Sequence, residues 1–218
     1  MTKQTIIAVV LFILLTTITS KQKINTSKFN LKEIKIENNF LIKNDELRKL
    51  LTPIYEKNLI FLSNVEVENV LKQNNFIKSF NIKKRYPNTL IIKIFERRPI
   101  AILIDNKKKF YLSEEIMLMD FKTLQNYKDL PYIFGNRLAF ESFYNNLKKI
   151  NFPLNYIKKF TLHKSNRWNL ETKDKKIVKL PSENYIKSLD NFLNIKDKSD
   201  FKKFKIFDYR IDSQLILK

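Results

Sequence analysis

The sequence predicts an α+β fold preceded by a short apolar helix. Residues 4–20 carry no charge, residues 29–96 show strand and helix patterns in the order β-α-α-β-β, and the remaining chain again mixes alternating runs with helical spacing. In the last two parts, amphipathic helices can cover one face of a sheet and bury a common core. Apolar residues suffice for two such cores, because 44% of the 218 residues are hydrophobic.

The uncharged segment at residues 4–20 is long enough to cross a lipid bilayer. At about 1.5 Å per residue it spans about 25 Å as a helix, the short end of what a bilayer needs. A cleaved signal peptide is the alternative, because the apolar run is short and ends in small Thr and Ser residues. The flanking charges argue weakly against export, since more lysines follow the segment than precede it.

The first α+β unit is predicted to begin with a strand and two helices. Residues 29–36 alternate apolar and polar side chains, as a strand with one buried face does. Asn44 can cap a helix with apolar residues at helical spacing, although Pro53 should kink or shorten it. A second helix is expected to begin at Ser63, because Glu66 completes a capping box.

A β-hairpin is predicted to follow these helices. Its strands are residues 77–85 and 89–96, joined by a turn in which Pro87 presets φ and Asn88 tolerates the tighter position. The unit is therefore expected to place two helices on one face of a three-stranded sheet.

The second half of the chain is predicted to form another sheet with covering helices. Apolar side chains recur at helical spacing in residues 140–150 and 185–193, while residues 160–162 and 168–170 alternate. These patterns suit an extended antiparallel sheet with the helices on one face. Trp168 is interpreted as a core residue in preference to a binding hot spot.

The composition excludes several classes of active site. Phosphate-cradling loops and nucleophile elbows need glycines, and the chain has only Gly135. A single histidine, His163, and the absence of cysteine exclude zinc sites and Cys-His nucleophiles. Glu114 and Glu115 are adjacent, so in a strand they would point to opposite faces and could not act as an acid-base pair. The composition leaves only carboxylate or Ser-Lys chemistry open to an enzyme. Because no convergent acid-base pair is found, we expect no catalytic residue, no metal and no cofactor.

The charge of the chain is strongly positive. Its 42 Lys and Arg against 22 Asp and Glu give a net charge of +20. A basic face can bind nucleic acid by releasing counterions, but here the lysines are spread over the whole length and no recognition module accompanies them. An AT-rich codon bias explains this pattern better, so we expect no nucleic-acid partner and no small-molecule substrate.

Four motifs carry a resemblance to a known family. They are KRYPNTL at residues 84–90, ERRPIA at 96–101, LPYIFG at 130–135 and FDYR at 207–210. Together they resemble the bacterial cell-division family FtsQ, called DivIB in other bacteria. The resemblance implies a short cytoplasmic tail and transmembrane helix at residues 1–24, a polypeptide-transport-associated (POTRA) domain at 25–97 and an FtsQ/DivIB-type β domain at 98–218. Gly135, within the third motif, is expected at a position of positive φ.

The resemblance also implies a function. The protein is expected to be a non-enzymatic, single-pass scaffold in the bacterial inner membrane at the division septum, with a cytoplasmic N-terminus and a periplasmic bulk. Its implied partners are FtsB and FtsL, through which it would link early and late division proteins. Two alternatives stay open, namely a POTRA-bearing envelope translocation component and a basic envelope protein that binds nucleic acid or anionic lipid.

The last strand is the implied partner-binding site. In this family a segment of FtsB adds as a further strand to the open sheet edge, next to basic side chains that meet its acidic residues. Here that strand is expected at residues 209–217. An ordinary edge strand, in which Arg210 pairs with Asp208 or Asp212, is the alternative. The implied partner-binding residues are Arg210, Ile211, Asp212, Ser213, Gln214, Leu215, Ile216, Leu217 and Arg167.

Overall fold

The computed structural model describes residues 2–17, 26–211 and 214–218. The first helix, α1 (Lys3–Thr17), is apolar, and its side chains up to residue 16 are exposed. Within the described ranges, no helix combines the length and the hydropathy that a membrane span requires. The end of the predicted apolar segment, residues 18–20, lies outside the described residues.

The first sheet of the described chain has three strands and two helices on one face. β1 (Glu33–Glu37) is followed by α2 (Asn44–Leu50), α3 (Asn64–Leu71), β2 (Ile77–Arg85) and β3 (Thr89–Glu96). β3 lies in the middle, parallel to β1 and antiparallel to β2. The predicted order of elements and the predicted limits of both hairpin strands are confirmed.

β1 is shorter than the strand predicted at residues 29–36. Thr26–Phe29 form a 3-10 turn, and Leu31 donates its backbone N–H to the carbonyl of Lys57 at 2.9 Å. These residues therefore bond to the loop before α3, and sheet pairing starts only where Glu33 lies opposite Thr89.

The two helix starts differ in their caps. At α3, Ser63 Oγ accepts the N–H of Glu66 at 3.2 Å, and Glu66 Oε1 accepts the N–H of Ser63 at 3.3 Å, which confirms the predicted capping box. At α2 the predicted Asn44 cap is wrong, because Lys43 occupies the cap position without a side-chain bond. Asn44 Oδ1 instead accepts a hydrogen bond from Asn39 Nδ2 at 2.9 Å and holds the preceding loop.

The rest of the described chain forms a nine-stranded sheet with helices. Its elements are β4 (Pro99–Asp105), β5 (Lys108–Ser113), β6 (Leu118–Asp120), β7 (Tyr132–Phe134), α4 (Arg137–Lys149), β8 (Ile157–Leu162), β9 (Trp168–Thr172), β10 (Ile177–Lys179), α5 (Tyr185–Ile195), α6 (Ser199–Lys202), β11 (Ile206–Asp208) and β12 (Ile216–Leu217). The strand order is β12-β11-β10-β9-β8-β7-β4-β5-β6.

This sheet is mixed, so the prediction of an extended antiparallel sheet is wrong. β7 runs parallel to both β4 and β8, and β10 runs parallel to β11. α4 lies between β7 and β8 in sequence, and α5 and α6 lie between β10 and β11. A helix that crosses the face of a sheet returns the chain to the end where the previous strand began, so the next strand runs in the same direction.

α4 and α5 bury an aromatic core on one face of this sheet. Phe143 stacks on Trp168 with ring centroids 4.9 Å apart, and Phe192 meets Phe207 edge to face at 5.0 Å. All four side chains are buried. The prediction that Trp168 belongs to the core is confirmed.

Gly135 is needed for close packing and not for its backbone conformation. Its φ is not positive, so the prediction for this residue is wrong. A Cβ atom at this position would lie 2.9 Å from Leu162 Cβ and 3.3 Å from Trp168 Cη2. These side chains approach the backbone so closely that a larger residue would force them to move.

The opposite face of the nine-stranded sheet is covered over one half only. A row of paired residues crosses this face from β6 to β11, and it consists of Met119, Tyr111, Ile102, Tyr132, Lys159, Glu171, Ile177 and Ile206. The first three are buried in a core shared with α2, α3 and the first sheet. The last four are partly or fully exposed, so the half from β8 to β12 faces solvent.

Candidate partner-binding edge

The nine-stranded sheet ends at β12, whose outer side pairs with no strand among the described residues. β12 pairs antiparallel with β11, and Leu217 lies opposite Phe207. Lys218 continues the ladder, since its N–H donates to Ile206 O at 3.1 Å and its carbonyl accepts from Ile206 N–H at 2.9 Å. Bonded and non-bonded pairs alternate in such a ladder, so the N–H and C=O of Leu217 point away from β11 and are available to another chain.

The predicted strand at residues 209–217 is wrong, because the chain bends after β11. Asp208 Oδ1 accepts the backbone N–H of Arg210 at 3.2 Å, a local bond that competes with the strand ladder. Tyr209 is buried and its hydroxyl donates to Asn191 Oδ1 of α5 at 2.8 Å. Burial raises the pKa of the Tyr209 phenol, which stays neutral. Together these contacts turn the chain towards α5 before it returns as β12.

Arg210 forms a two-pronged ion pair with Asp208. Its Nε lies 2.8 Å from Asp208 Oδ1 and its Nη2 lies 2.6 Å from Oδ2. The hydrogen bond from Arg210 holds the pKa of the Asp208 carboxyl below its usual range. The Arg210 side chain is still 42% exposed, against 9% for Asp208, so its Nη1 edge can donate to a carboxylate of a partner.

A further basic side chain lies beside this ion pair. Lys179 Nζ lies 3.9 Å from Asp208 Oδ2, so one buried carboxylate lies beside two basic side chains. Asn169, Lys179 and Asp208 face one another across β9, β10 and β11. Arg167 lies two residues before Asn169 and Arg210 lies two residues after Asp208, so both lie at the same end of the sheet. This end of the sheet is therefore basic and suits an acidic segment.

The other predicted site residues occupy different environments. Leu215 and Leu217 pack half-buried against the core, whereas Ile211 and Ile216 are exposed, and Gln214 precedes β12. Asp212 and Ser213 lie outside the described residues. Arg167 is half-buried at the β8–β9 turn, where its Nε donates to Ser165 Oγ at 2.9 Å.

A cleft of about 490 Å³ lies between α5 and the segment that leads into β12. Its walls are amide and hydroxyl side chains, one lysine and the ends of apolar ones, and they include Asn184, Lys187, Ser188, Asn191, Ile211, Gln214 and Leu215. The α5 residues of this cleft were not predicted from the sequence, because the bend that brings Ile211, Gln214 and Leu215 against α5 depends on tertiary contacts. Leu215, which lines the cleft, directly precedes β12, and we call the open edge of β12 together with this cleft the β12 site.

The comparisons with known proteins agree with the resemblance found in the motifs. Residues 29–97 match the family described as POTRA domain, FtsQ-type. The chain is 28% identical over 189 residues to the cell division protein FtsQ of Rickettsia bellii, which covers 84% of this chain and 69% of that protein. The FtsQ of Rickettsia conorii is 28% identical over 186 residues, with the same shares of 84% and 69%.

Relatives from other bacteria match a smaller part of the chain. The cell division protein DivIB of Clostridium tetani is 32% identical over 84 residues, which are 38% of this chain and 31% of that protein. A solved structure of the major extracytoplasmic domain of DivIB from Geobacillus stearothermophilus, in its trans isomer, aligns with a TM-score of 0.36 and 19% identity over 49% of this chain and 96% of that domain. The chain therefore carries an FtsQ-type POTRA domain at residues 29–97 and is similar over most of its length to FtsQ cell division proteins.

Proposed function

We propose that this chain is a single-pass membrane scaffold of the bacterial divisome. It binds FtsB and FtsL in the periplasm and links early and late division proteins at the septum, with no catalytic step. Similarity to FtsQ cell division proteins over most of the chain supports the role in division. In this proposal, residues 25–97 form the POTRA domain and residues 98–218 form the β domain that carries the partner.

The observation that carries the proposal is the unpaired outer edge of β12 beside a basic sheet end. An added strand would form main-chain hydrogen bonds with Leu217. Successive side chains of that strand would point to opposite faces of the sheet, towards exposed Ile216 on one face and towards the cleft beside α5 on the other. Arg210, oriented by Asp208, and Arg167 would meet acidic residues at the end of the added segment.

The anchor in this proposal is the apolar segment at residues 4–20. α1 (Lys3–Thr17) covers residues 4–17 of this segment, and this helix carries no acidic residue. In the proposed topology the N-terminus lies in the cytoplasm and the chain from residue 21 onward lies in the periplasm of the inner membrane.

Two substitutions at Leu217 test strand addition. Leu217→Pro removes the outward N–H at an edge position that tolerates proline, whereas Leu217→Ala keeps the N–H and removes the side chain. We expect Leu217→Pro to reduce capture of FtsB from the same bacterium at least tenfold, and Leu217→Ala to reduce it less. Capture is measured by surface plasmon resonance with the full chain in nanodiscs, and circular dichroism checks the fold of each variant.

Two results would contradict strand addition at β12, and one would contradict the membrane anchor. Undiminished FtsB capture by a folded Leu217→Pro variant would place the partner site elsewhere. Equal losses from the two variants would show that the Leu217 side chain, and not the ladder, makes the contact. For the anchor, a mature protein about twenty residues lighter than the full chain by intact mass would indicate a cleaved signal peptide.

A further inference from the structure

The end of the first sheet that lies nearest the apolar segment in the chain exposes several large apolar side chains. Phe61 is 74% exposed, Val65 61%, Tyr86 56% and Ile60 42%. Scattered single exposures of this kind are ordinary, but four at one end of a small sheet form a patch. We call these four residues the proximal patch.

Contacts within the structure place these residues together. Phe29 meets Tyr86 edge to face at 6.2 Å, and its carbonyl accepts the N–H of Leu59 at 2.8 Å, beside Ile60. Lys84 Nζ donates to the carbonyl of Leu62, the residue that follows Phe61, at 2.5 Å. The loop before α3, the β2–β3 turn and the residues before β1 thus meet at one end of the sheet.

Basic side chains surround the patch. Lys28 and Lys32 are exposed in the residues before β1, and Arg85 is exposed at the end of β2. Lys28 Nζ lies 5.3 Å from the centre of the Phe29 ring. Tyrosine, lysine and arginine around apolar side chains are the composition that favours the boundary between lipid headgroups and hydrocarbon.

The chain also limits how far this patch can be from the apolar segment. α1 ends at Thr17, and the next described residue, Thr26, begins the 3-10 turn that contacts the patch. Asn58 Nδ2 donates to the Thr26 carbonyl at 2.8 Å, so the start of the turn is bound to the loop that carries Ile60 and Phe61. Nine residues span at most about 32 Å when fully extended, so a membrane that holds α1 lies within that distance.

We propose that the proximal patch docks on the surface of the membrane that holds the apolar segment, with Phe61 and Val65 entering the interface and Lys28, Lys32 and Arg85 meeting anionic headgroups. This inference rests on the anchored topology proposed above. Docking would fix the orientation of the first sheet on the bilayer and direct the opposite end of the protein away from it.

Single cysteines can test this contact, because the natural chain has none. Phe61→Cys places a reporter in the patch. Phe40→Cys is the matched control, since Phe40 is 86% exposed after β1, at the opposite end of the same sheet. Leu11→Cys reports on the apolar segment. Each full-length variant is reconstituted into vesicles of phosphatidylethanolamine and phosphatidylglycerol and labelled with an environment-sensitive fluorophore.

We expect the label at residue 61 to be at least threefold less accessible to an aqueous quencher than the label at residue 40. In a Tyr86→Cys reporter, the additional changes Phe61→Ser and Val65→Ser should restore quenching. If the label at residue 61 is quenched like that at residue 40 while residue 11 is shielded, the docking proposal is overturned and the anchor stands.

Two other outcomes would also overturn the docking proposal. Quenching of the label at residue 11 would show that the anchored topology itself fails. Shielding at residue 61 that increases with the ratio of protein to lipid would identify a second copy of the chain as the occupant of the patch.

Discussion

At the scale of single residues, Asp208 controls the geometry of the β12 site. It accepts both prongs of Arg210 and the backbone N–H that starts the bend. Because the pKa of this carboxyl is lowered in the folded protein, its contribution to stability is present above the pKa of the unfolded chain and is lost as the pH falls through the folded value.

Asp208→Asn should therefore destabilise the protein at neutral pH but much less under acidic conditions. The free energy of unfolding, measured by urea titration between pH 7 and pH 3, should differ most from that of the natural chain at pH 7. A constant difference for Asp208→Asn would mean that the ion pair contributes no pH-dependent stability.

At the scale of elements, local signals decided which predictions held. The capping box at Ser63 and the hairpin with Pro87 depend on residues that are close in sequence, and both occur as predicted. The direction of β8 and β11 depends on where α4 and α5 return the chain, and the end of β11 depends on a buried tyrosine contact with α5. No short pattern encodes such contacts, so the antiparallel sheet and the long last strand were predicted wrongly.

The α3 cap provides a quantitative test at this scale. Ser63→Ala removes the acceptor for the Glu66 N–H and should lower the free energy of unfolding by about 0.5–2 kcal/mol. Asn44→Ala, at a position that caps no helix in the structure, should cost less. Thermal and urea unfolding of both variants measure the two values, and equal losses would contradict the assignment of the caps.

At the scale of the whole molecule, the two sheets are joined by a common core. Tyr111 of β5 is buried, meets Phe76 edge to face at 6.4 Å, and donates its hydroxyl proton to Lys122 O at 2.9 Å. The motifs predicted two consecutive domains. Contacts between side chains of these two domains leave no periodic pattern in the sequence, so the common core was not predicted. The same holds for the candidate site. The family motifs predicted that the last strand forms the sheet edge, but they did not predict the cleft beside it.

Tyr111→Ala should weaken both units together. Removing this buried ring leaves a cavity in the shared core and should cost about 3–5 kcal/mol, by analogy with other large aromatic residues. Hydrogen exchange should also become faster in α3 and β2, which lie outside the mutated sheet. Phe110→Ala, at the adjacent and only half-buried position, is the control and should leave exchange in α3 unchanged. Unchanged exchange in α3 for Tyr111→Ala would show that the two units open independently.

The short length of β12 also sets the timescale of the edge. Among the described residues, Ile216 and Leu217 alone form this strand and Lys218 adds one bonded pair, so few backbone bonds hold it to β11. We therefore expect this edge to open and close more often than the interior strands do. A strand added on its outer side must associate during the closed intervals, and once bound it lengthens them by supplying β12 with a second ladder. In this arrangement the lifetime of a bound complex and the order of β12 would increase together.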